Sequence, residues 1–181
     1  MIVRAADLVA KPWPNGRGMT RDIVDQDRSA DGLGWLLSLA DLSGDAAFSH
    51  FPHCDRVFTL IDGEGVTLDI EGRTLACRPL VPSCFSGDRG TQMRMKPLPA
   101  RAFNLFFDRR RFGGGVASQM IADDHSLASP HDTVAIFCAF GKIAVPDGIL
   151  GVGDTSLASG VIDLRAVDGA ACALMVSRAA R

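Results

Sequence analysis

The sequence is poor in residues that favour helices. Among its 181 residues, glutamate occurs only as Glu64 and Glu71, and lysine is also scarce, whereas glycine and aspartate are abundant. Glutamate and lysine favour helices, while glycine and aspartate favour turns. We therefore expect short strands joined by turns rather than a helical protein.

Features that would mark several functional classes are also missing. The 19 basic and 21 acidic residues give a net charge of -2 without a long block of like charge, so the basic surface of a nucleic-acid binder is not expected. No apolar run is long enough to cross a bilayer, and residues 1–9 lack the uninterrupted apolar segment of a signal peptide. The sequence predicts a cytoplasmic protein with no nucleic-acid partner and no membrane association.

The cysteines do not form a recognisable framework. They are odd in number, widely separated and without any C-x-x-C pair, which argues against both a disulfide framework and a zinc knuckle. They are Cys54, Cys77, Cys84, Cys138 and Cys172. We expect free thiols that are mostly buried.

Alternating apolar residues predict strands along most of the chain. Residues 56–61 and 66–70 alternate on either side of a glycine-containing turn, which is typical of a β-meander. Only residues 115–121 show a helical pattern, and that segment is too short for a stable helix. Further strands are predicted at residues 74–80, 91–95, 102–107, 133–140, 160–164 and 171–177.

The chain also contains a weak internal repeat. Residues 55–63 and 132–141 each consist of an acidic residue, an apolar strand and a glycine turn, and each is followed by a second strand and a Gly/Asp turn. This repeated order of strands and turns is typical of a double-stranded β-helix, or jelly-roll barrel, that occurs twice. Because Arg56 in the first copy corresponds to Thr133 in the second, we expect a binding pocket in the first half.

Several motifs in the first half resemble the HutD/Ves family. They occur in the family's order and include PWPNGRGMTRDI at residues 12–23, WLLSLA at 35–40, FSHFP at 48–52, FSGD at 85–88 and FNL at 103–105. The resemblance implies an all-β bicupin fold of two fused RmlC-like jelly-roll (double-stranded β-helix) barrels. It also implies a small-ligand-binding regulatory role in bacterial histidine utilisation. Two positions depart from the family pattern: Arg17 replaces a third glycine, and Leu36 replaces a common arginine.

The resemblance divides the chain into two halves. Residues 1–110 form the N-terminal cupin half with the family motifs and the pocket, and residues 111–181 form the C-terminal half. Exchange of strands between the halves is left open. Residues 108–115, with a basic run followed by glycines, are interpreted as a solvated linker.

The glycines of residues 13–23 do not form a phosphate-binding loop. Only one residue separates Gly16 from Gly18, no lysine follows, and residues 19–24 alternate as a strand. The segment is better interpreted as a tight loop at the rim of a barrel, leading into a strand.

Arg56 is the main candidate for ligand binding, because strand alternation places it on the same apolar face as Phe58 and Leu60. Its guanidinium either binds the carboxylate of a small organic acid or forms an internal ion pair with Asp55, Asp88 or another carboxylate. Arg21 is considered as a second guanidinium for the same carboxylate, and the remaining polar candidates either orient the ligand or satisfy main-chain groups of the barrel. The complete predicted ligand-binding set is Asn15, Thr20, Arg21, Ser38, Arg56 and Asn104.

We predict no metal and no cofactor. A cupin metal site uses two histidines at i and i+2 on one strand face, followed by a carboxylate and a distant histidine. His50 and His53 are three residues apart and Pro52 separates them, while His125 and His131 lie in a polar loop segment. No G-x-S-x-G elbow is present, so no catalytic residue is assigned.

These observations predict a bicupin that binds a small anionic metabolite of histidine breakdown, such as urocanate or a formylated or carboxylated acid, in a regulatory and non-catalytic role. One alternative is a metal-independent cupin enzyme, an isomerase or hydrolase, acting on a small organic acid. Another is a protein-interaction module that uses an exposed sheet face. Formation of a homodimer is left open.

Overall fold

The protein is built almost entirely from β-strands. The computed structural model describes residues 1–13, 16–27 and 32–181. Within these residues, the helical structure is limited to a 3₁₀ turn at Ala5–Asp7. The strands in chain order are β1 (Ile2–Val3), β2 (Ala10–Pro12), β3 (Gly18–Gln26), β4 (Trp35–Leu42), β5 (Ala46–Ala47), β6 (Cys54–Asp62), β7 (Val66–Ile70), β8 (Arg73–Cys77), β9 (Ser83–Ser86), β10 (Thr91–Met95), β11 (Ala100–Asp108), β12 (Phe112–Ile121), β13 (Ser126–Ala128), β14 (Thr133–Phe140), β15 (Ile143–Val145), β16 (Gly148–Leu150), β17 (Thr155–Leu157), β18 (Asp163–Ala166) and β19 (Ala171–Ala180).

The strands belong to two compact units. The N-terminal unit is Val9–Phe112, and the C-terminal unit combines Met1–Leu8 with Gly113–Arg181. The N-terminal unit contains a six-stranded sheet in the order β2-β3-β4-β11-β6-β9 and a four-stranded sheet in the order β5-β10-β7-β8. Phe58 and Leu60 of the first sheet pack with Leu68 and Met93 of the second in one buried cluster. The core of this unit therefore lies between its two sheets.

The C-terminal unit has the same layered construction. Its five-stranded sheet has the order β1-β17-β14-β19-β12, and its four-stranded sheet has the order β13-β18-β15-β16. Ile136 and Ala173 of the first sheet share a buried cluster with Ile143 and Leu164 of the second. The two sheets of each unit stack because each has an apolar face that must be covered. The short strands and small turns allow the chain to pass from one sheet to the other.

The predicted all-β fold is confirmed, with local differences. Residues 115–121, the weak helical candidate, belong to β12, whose first residues include three consecutive glycines that disfavour a helix. The strand predicted at residues 160–164 is observed at Asp163–Ala166 instead. Gly160 has a φ of 90°, which places it in the turn that precedes this strand. No helix of the described residues is long and apolar enough to cross a membrane.

The basic run after β11 was predicted to be a solvated linker, and this interpretation is wrong. Arg109 is partly buried and donates hydrogen bonds to Asp55 Oδ1 at 2.9 Å, to Ser86 Oγ at 2.8 Å and to a carboxylate oxygen of Asp88. Arg110 makes an ion pair with the buried Asp108 at 2.7 Å. The run thus joins the end of β11 to β6 and β9 through charge-assisted hydrogen bonds.

These ion pairs make the stability sensitive to acid. The main-chain N–H of His53, followed by the side chains of Arg109 and Ser86, holds the pKa of Asp88 well below its ordinary value. Hydrogen bonds from Arg110 lower the pKa of Asp108 to about 2. A carboxyl group with a lowered pKa in the folded state stabilises the protein above its ordinary pKa, and this contribution is lost as the pH falls through the folded value.

We therefore expect the free energy of unfolding to decrease between about pH 4 and pH 2. Urea denaturation at a series of pH values measures this decrease. Asp108→Asn should flatten the pH dependence, whereas Asp163→Asn, at an exposed position of β18, should leave it unchanged. An equal slope for all three proteins would contradict the assignment.

Candidate functional site

The N-terminal unit contains a cavity of about 260 Å³ on the inner face of its six-stranded sheet. Four of the six predicted ligand-binding residues line it, namely Thr20, Ser38, Arg56 and Asn104. The sheet register explains why they meet. Ser38 on β4 lies opposite Asn104 on β11, and Asn104 lies opposite Phe58 on β6, two residues from Arg56. Residues opposite one another in an antiparallel sheet share a face.

Arg56 forms a buried cationic wall of this cavity. Its exposed fraction is only 6%. The guanidinium carbon lies 3.8 Å from the ring centroid of Phe48 and 4.8 Å from that of Phe106, with the rings of Phe58 and Phe85 each at 5.6 Å. Aromatic faces attract a cation, but they do not neutralise its charge. The cavity therefore combines an aromatic enclosure with one positive charge.

Asn104 supplies the hydrogen-bond acceptor for Arg56. Its Oδ1 accepts bonds from Arg56 Nε at 3.2 Å and from Arg56 Nη2 at 2.7 Å. Because a guanidinium only donates, the amide oxygen must face Arg56 and the amide nitrogen must point away from it. Within the described part of the chain, no acceptor bonds Arg56 Nη1 or Asn104 Nδ2. Both groups can therefore donate to a further acceptor.

The expected internal counter-charges of Arg56 are engaged elsewhere. Asp55 and Asp88 form ion pairs with Arg109 at the end of β11. Asp22, which lines the same cavity, makes an ion pair with Lys11 at 2.7 Å. Among residues 1–13, 16–27 and 32–181, no carboxylate lies within ion-pair distance of Arg56. The structural ion pair left open by the sequence is not formed with Asp55 or Asp88.

The electrostatics of Arg56 follow from this burial. Desolvation lowers the pKa of Arg56 to about 9, while the neighbouring Cys77 thiol acts in the opposite direction. The guanidinium therefore remains protonated at neutral pH. A buried charge without an opposite charge is unfavourable, so the unliganded site carries a free-energy penalty that a bound anion would relieve.

The contacts of Trp13 with β3 explain one glycine of the motif at residues 13–23. The main-chain N–H of Trp13 donates to Gly18 O at 2.9 Å, and the indole Nε1 donates to Thr20 Oγ1 at 2.6 Å. A Cβ atom on Gly18 would lie 2.6 Å from the main-chain oxygen of Asp41 and 3.0 Å from the Trp13 ring. Glycine at position 18 therefore allows Trp13 to pack over the strand and line the cavity.

Replacement of Gly18 with alanine is expected to destabilise the protein by about 1–3 kcal/mol, because the new methyl group displaces Trp13 or the neighbouring strand. Chemical denaturation followed by tryptophan fluorescence measures this change. Gly90→Ala is a matched control, because a Cβ atom there meets no atom within 4 Å. Equal stability of the two variants would show that the close contact at Gly18 is unimportant.

Two predicted ligand-binding residues are not placed in the cavity. Arg21 lies on the opposite face of β3 from Thr20, and its guanidinium donates to Asp41, which also pairs with Arg101 at 2.8 Å. The prediction that Arg21 lines the pocket is corrected, because strand alternation directs its side chain away from Thr20 and Asp22. Asn15 lies outside the described residues.

The described histidines and carboxylates do not form the arrangement that binds a metal in other cupins. His50 Nε2 contacts the main-chain oxygen of Asp88 at 2.7 Å, and the main-chain N–H of His53 donates to Asp88 Oδ1. No group of three His, Cys, Asp or Glu side chains in the described ranges could hold a metal ion. The donor groups of the described residues therefore do not fit the metal that is common in cupin folds.

Sequence reasoning missed the aromatic and acidic members of the cavity. Trp13, Asp22, Phe48, Phe51 and Phe106 also line it. Asp22 shares the strand face of Thr20, so alternation alone could have found it. Phe48 and Phe51 lie outside regular strands, in a loop with no periodic signal. Their position follows from ring contacts such as Phe51 with Phe106, whose centroids are 4.9 Å apart.

Comparison with known families places these features in context. The family model HutD matches residues 5–175. An uncharacterised 21.2 kDa protein in the hutC 3′ region of Pseudomonas putida is 32% identical over 148 residues, which are 80% of this chain and 76% of that protein. Protein Ves of Citrobacter koseri is 35% identical over 77 residues, 42% of this chain and 40% of Ves.

Solved structures agree with this relationship. HutD from Pseudomonas fluorescens SBW25, in a formate condition, superimposes with a TM-score of 0.85 and 30% identity, covering 100% of this chain and 98% of that one. A cupin 2 conserved barrel domain protein from Leptotrichia buccalis has a TM-score of 0.60 at 12% identity, covering 98% and 95% of the two chains. At 12% identity, the similarity to the Leptotrichia buccalis protein shows a shared fold and nothing about function. Together with the strand content, these similarities confirm the predicted cupin fold.

Proposed function

This chain belongs to the HutD family, and we propose that its N-terminal unit is a receptor for a small organic monocarboxylate held by Arg56 and Asn104. One observation carries the proposal. Arg56 is only 6% exposed, and such a buried cation would normally require an anionic partner, yet Asp22, Asp55 and Asp88 pair with other cations.

The available donors suit a carboxylate. Arg56 Nη1 and Asn104 Nδ2 both lack acceptors within the described residues and line one cavity. A planar guanidinium binds a planar carboxylate through paired hydrogen bonds, each of which contributes about 1.5–3 kcal/mol. The amide nitrogen can donate to the same oxygen pair or to a second polar atom of the ligand.

The cavity also selects by size and charge. A volume of about 260 Å³ admits only a small molecule, and the rings of Phe48 and Phe106 favour a flat or apolar body. Leu36, at the position where the family often has arginine, adds another apolar side chain to the wall. The carboxylate of Asp22 on the same wall disfavours a second negative charge. We therefore expect monocarboxylates to bind more tightly than dicarboxylates.

The proposed physiological ligand comes from histidine breakdown. One relative carries the hutC region in its name, and a structural neighbour is named HutD and described in a formate condition. Urocanate is a flat monocarboxylate that matches the aromatic walls, and formate is the smallest carboxylate probe. We propose a regulatory, non-catalytic role. Ligand binding would make the protein more stable than it is with the cavity empty.

A thermal-shift panel tests this proposal. Urocanate, formate and acetate are compared with a dicarboxylate, glutarate, and with formamide as an uncharged control. A ligand at 100 times its Kd should stabilise the protein by about 2.7 kcal/mol. We expect stabilisation by monocarboxylates and none by formamide. Equal shifts with formamide, or no shift with any acid, would contradict the proposal.

The same panel tests the non-catalytic role. Each acid is incubated with the protein, and the mixture is separated by liquid chromatography at the start and after prolonged incubation. We expect unchanged ligand in every mixture. Conversion that disappears in Arg56→Met would instead establish an isomerase or hydrolase acting in this cavity.

A further inference from the structure

A second concave surface of the N-terminal unit lies between the terminal strands of its two sheets. β8 ends the four-stranded sheet and β9 ends the six-stranded sheet, so within the described structure each has one neighbouring strand. The groove between them has a volume of about 660 Å³ and is lined by both strands and by residues of the connecting segment 78–82. Each terminal strand leaves one row of main-chain N–H and C=O groups for a further strand.

The groove is positively charged, although the whole chain has a net charge of -2. Arg73, Arg78 and Arg89 line it, and no aspartate or glutamate does. Arg73 and Arg78 are exposed, and their side chains have no ion pair or hydrogen bond to any residue that the structure describes. Arg89 reaches Glu71 only at 3.9 Å, with both side chains more than half exposed, which is a weak interaction in water.

The floor between the arginines is apolar. Leu75, Val81, Pro82 and Phe85 contribute to it, and Val81 is 49% exposed. Charged residues at a sheet edge can serve only to prevent unwanted strand pairing. That role does not require a groove beside the charges. A recess with an apolar floor and unpaired cations on its rim is instead typical of a surface that receives a chain of opposite charge.

We propose that this groove binds an extended acidic peptide segment of a partner protein, which pairs with the free edge of β8. Most of β8 is accessible, since Arg73, Thr74 and Ala76 are exposed. In an extended segment, successive side chains point to opposite faces. Arg73 and Leu75 are two residues apart on β8 and therefore share one face. On that face of the bound segment, an acidic residue would contact Arg73 and an apolar residue two positions away would pack on Leu75. A further acidic residue would contact Arg78, and a further apolar residue would pack on Val81.

This binding surface is independent of the proposed carboxylate receptor. Phe85 lines the groove and also contacts Arg56, since its ring centroid lies 5.6 Å from the guanidinium carbon. Variants that test the groove therefore retain Phe85. Carboxylate binding, measured on the same preparations, should remain unchanged.

The test uses a short fluorescein-labelled peptide in which glutamate and valine take turns at every second position, with threonine between them, so that both residue types lie on one face of the strand. Binding is measured by fluorescence anisotropy at low ionic strength. A second peptide replaces glutamate with lysine, and a third is fully N-methylated so that it lacks main-chain donors. The double variant Arg73→Glu/Arg78→Glu is compared with Arg94→Glu, an exposed arginine on β10 that lies outside both the cavity and the groove. Thermal melts verify that each variant is folded.

We expect saturable binding of the acidic peptide, weakened at least roughly tenfold in the double variant because the groove charge is reversed. Arg94→Glu should bind like the wild type, and the lysine and N-methylated peptides should bind poorly. Equal binding to the double variant, equal binding of either control peptide, or no saturable binding would overturn the proposal. Self-association of the protein alone, abolished by the double variant, would overturn it in favour of a second copy as the occupant.

Discussion

Arg56→Met is expected to abolish carboxylate binding while leaving the unliganded protein at least as stable as the wild type. The substitution removes a buried cation for which no carboxylate partner lies within the described residues. Replacing even a buried ion pair with apolar side chains of similar volume is often neutral or stabilising by about 1–4 kcal/mol, and a buried charge without a partner is less favourable still. The orphaned Asn104 Oδ1 offsets part of this gain, at a cost of about 1–3 kcal/mol. Urea denaturation and carboxylate titration measure the two effects.

The two measurements separate a receptor from a structural role. If Arg56 mainly closed the barrel, its replacement would destabilise the protein by several kcal/mol, as breaking a buried ion pair does. The receptor role instead predicts retained stability and a loss of affinity of at least roughly 100-fold, since two charge-assisted bonds disappear. Arg94→Met, at an exposed arginine of β10, should change neither quantity.

Asn104→Asp is expected to strengthen the contact with Arg56 and to weaken carboxylate binding. The new carboxylate would occupy the position of Asn104 Oδ1, which lies 2.7 Å from Arg56 Nη2, and would provide the missing counter-charge. The unliganded protein should then become more stable, because a buried charge gains a partner. An added anion would meet a neutralised guanidinium and a negative neighbour. We expect carboxylate affinity to fall roughly 100-fold, or about 2.8 kcal/mol.

The matched control for Asn104→Asp is Gln92→Glu, which adds the same charge at an exposed position of β10. This control should alter neither stability nor carboxylate binding appreciably. Wild-type affinity in Asn104→Asp would show that the anion does not approach Arg56. Strong destabilisation of Asn104→Asp would show that Arg56 is already neutralised by another group.

The fold was largely accessible from the sequence because its signals are local. Alternating apolar residues and glycine turns mark β6, β7 and β10, and the ordered motifs between residues 12 and 105 identify the family. The position of Arg56 follows from the same alternation, since it is two residues from Phe58 on one strand. The strand β12 could not be predicted from local patterns, because its glycine-rich sequence shows no clear alternation of apolar and polar residues. It forms a strand through its pairing with β19.

The environment of Arg56 could not be predicted, because it depends on contacts between distant residues. Asp55, which directly precedes Arg56, and Asp88, in the second Gly/Asp turn, were the proposed partners, yet Arg109, 54 residues after Asp55, binds both. The basic run containing Arg109 has the composition of a linker. Only the pairing of β6 with β11 brings its guanidinium to these carboxylates and leaves Arg56 without them.

The most direct test is the ¹⁵N-resolved spectrum of the arginine side chains during titration with urocanate. The Arg56 Nε–H resonance is assigned by its absence in Arg56→Met. A buried guanidinium that binds the ligand carboxylate predicts a saturable shift of this resonance, with the same Kd as the thermal stabilisation. Urocanate binding that leaves the Arg56 resonance unmoved would contradict the account.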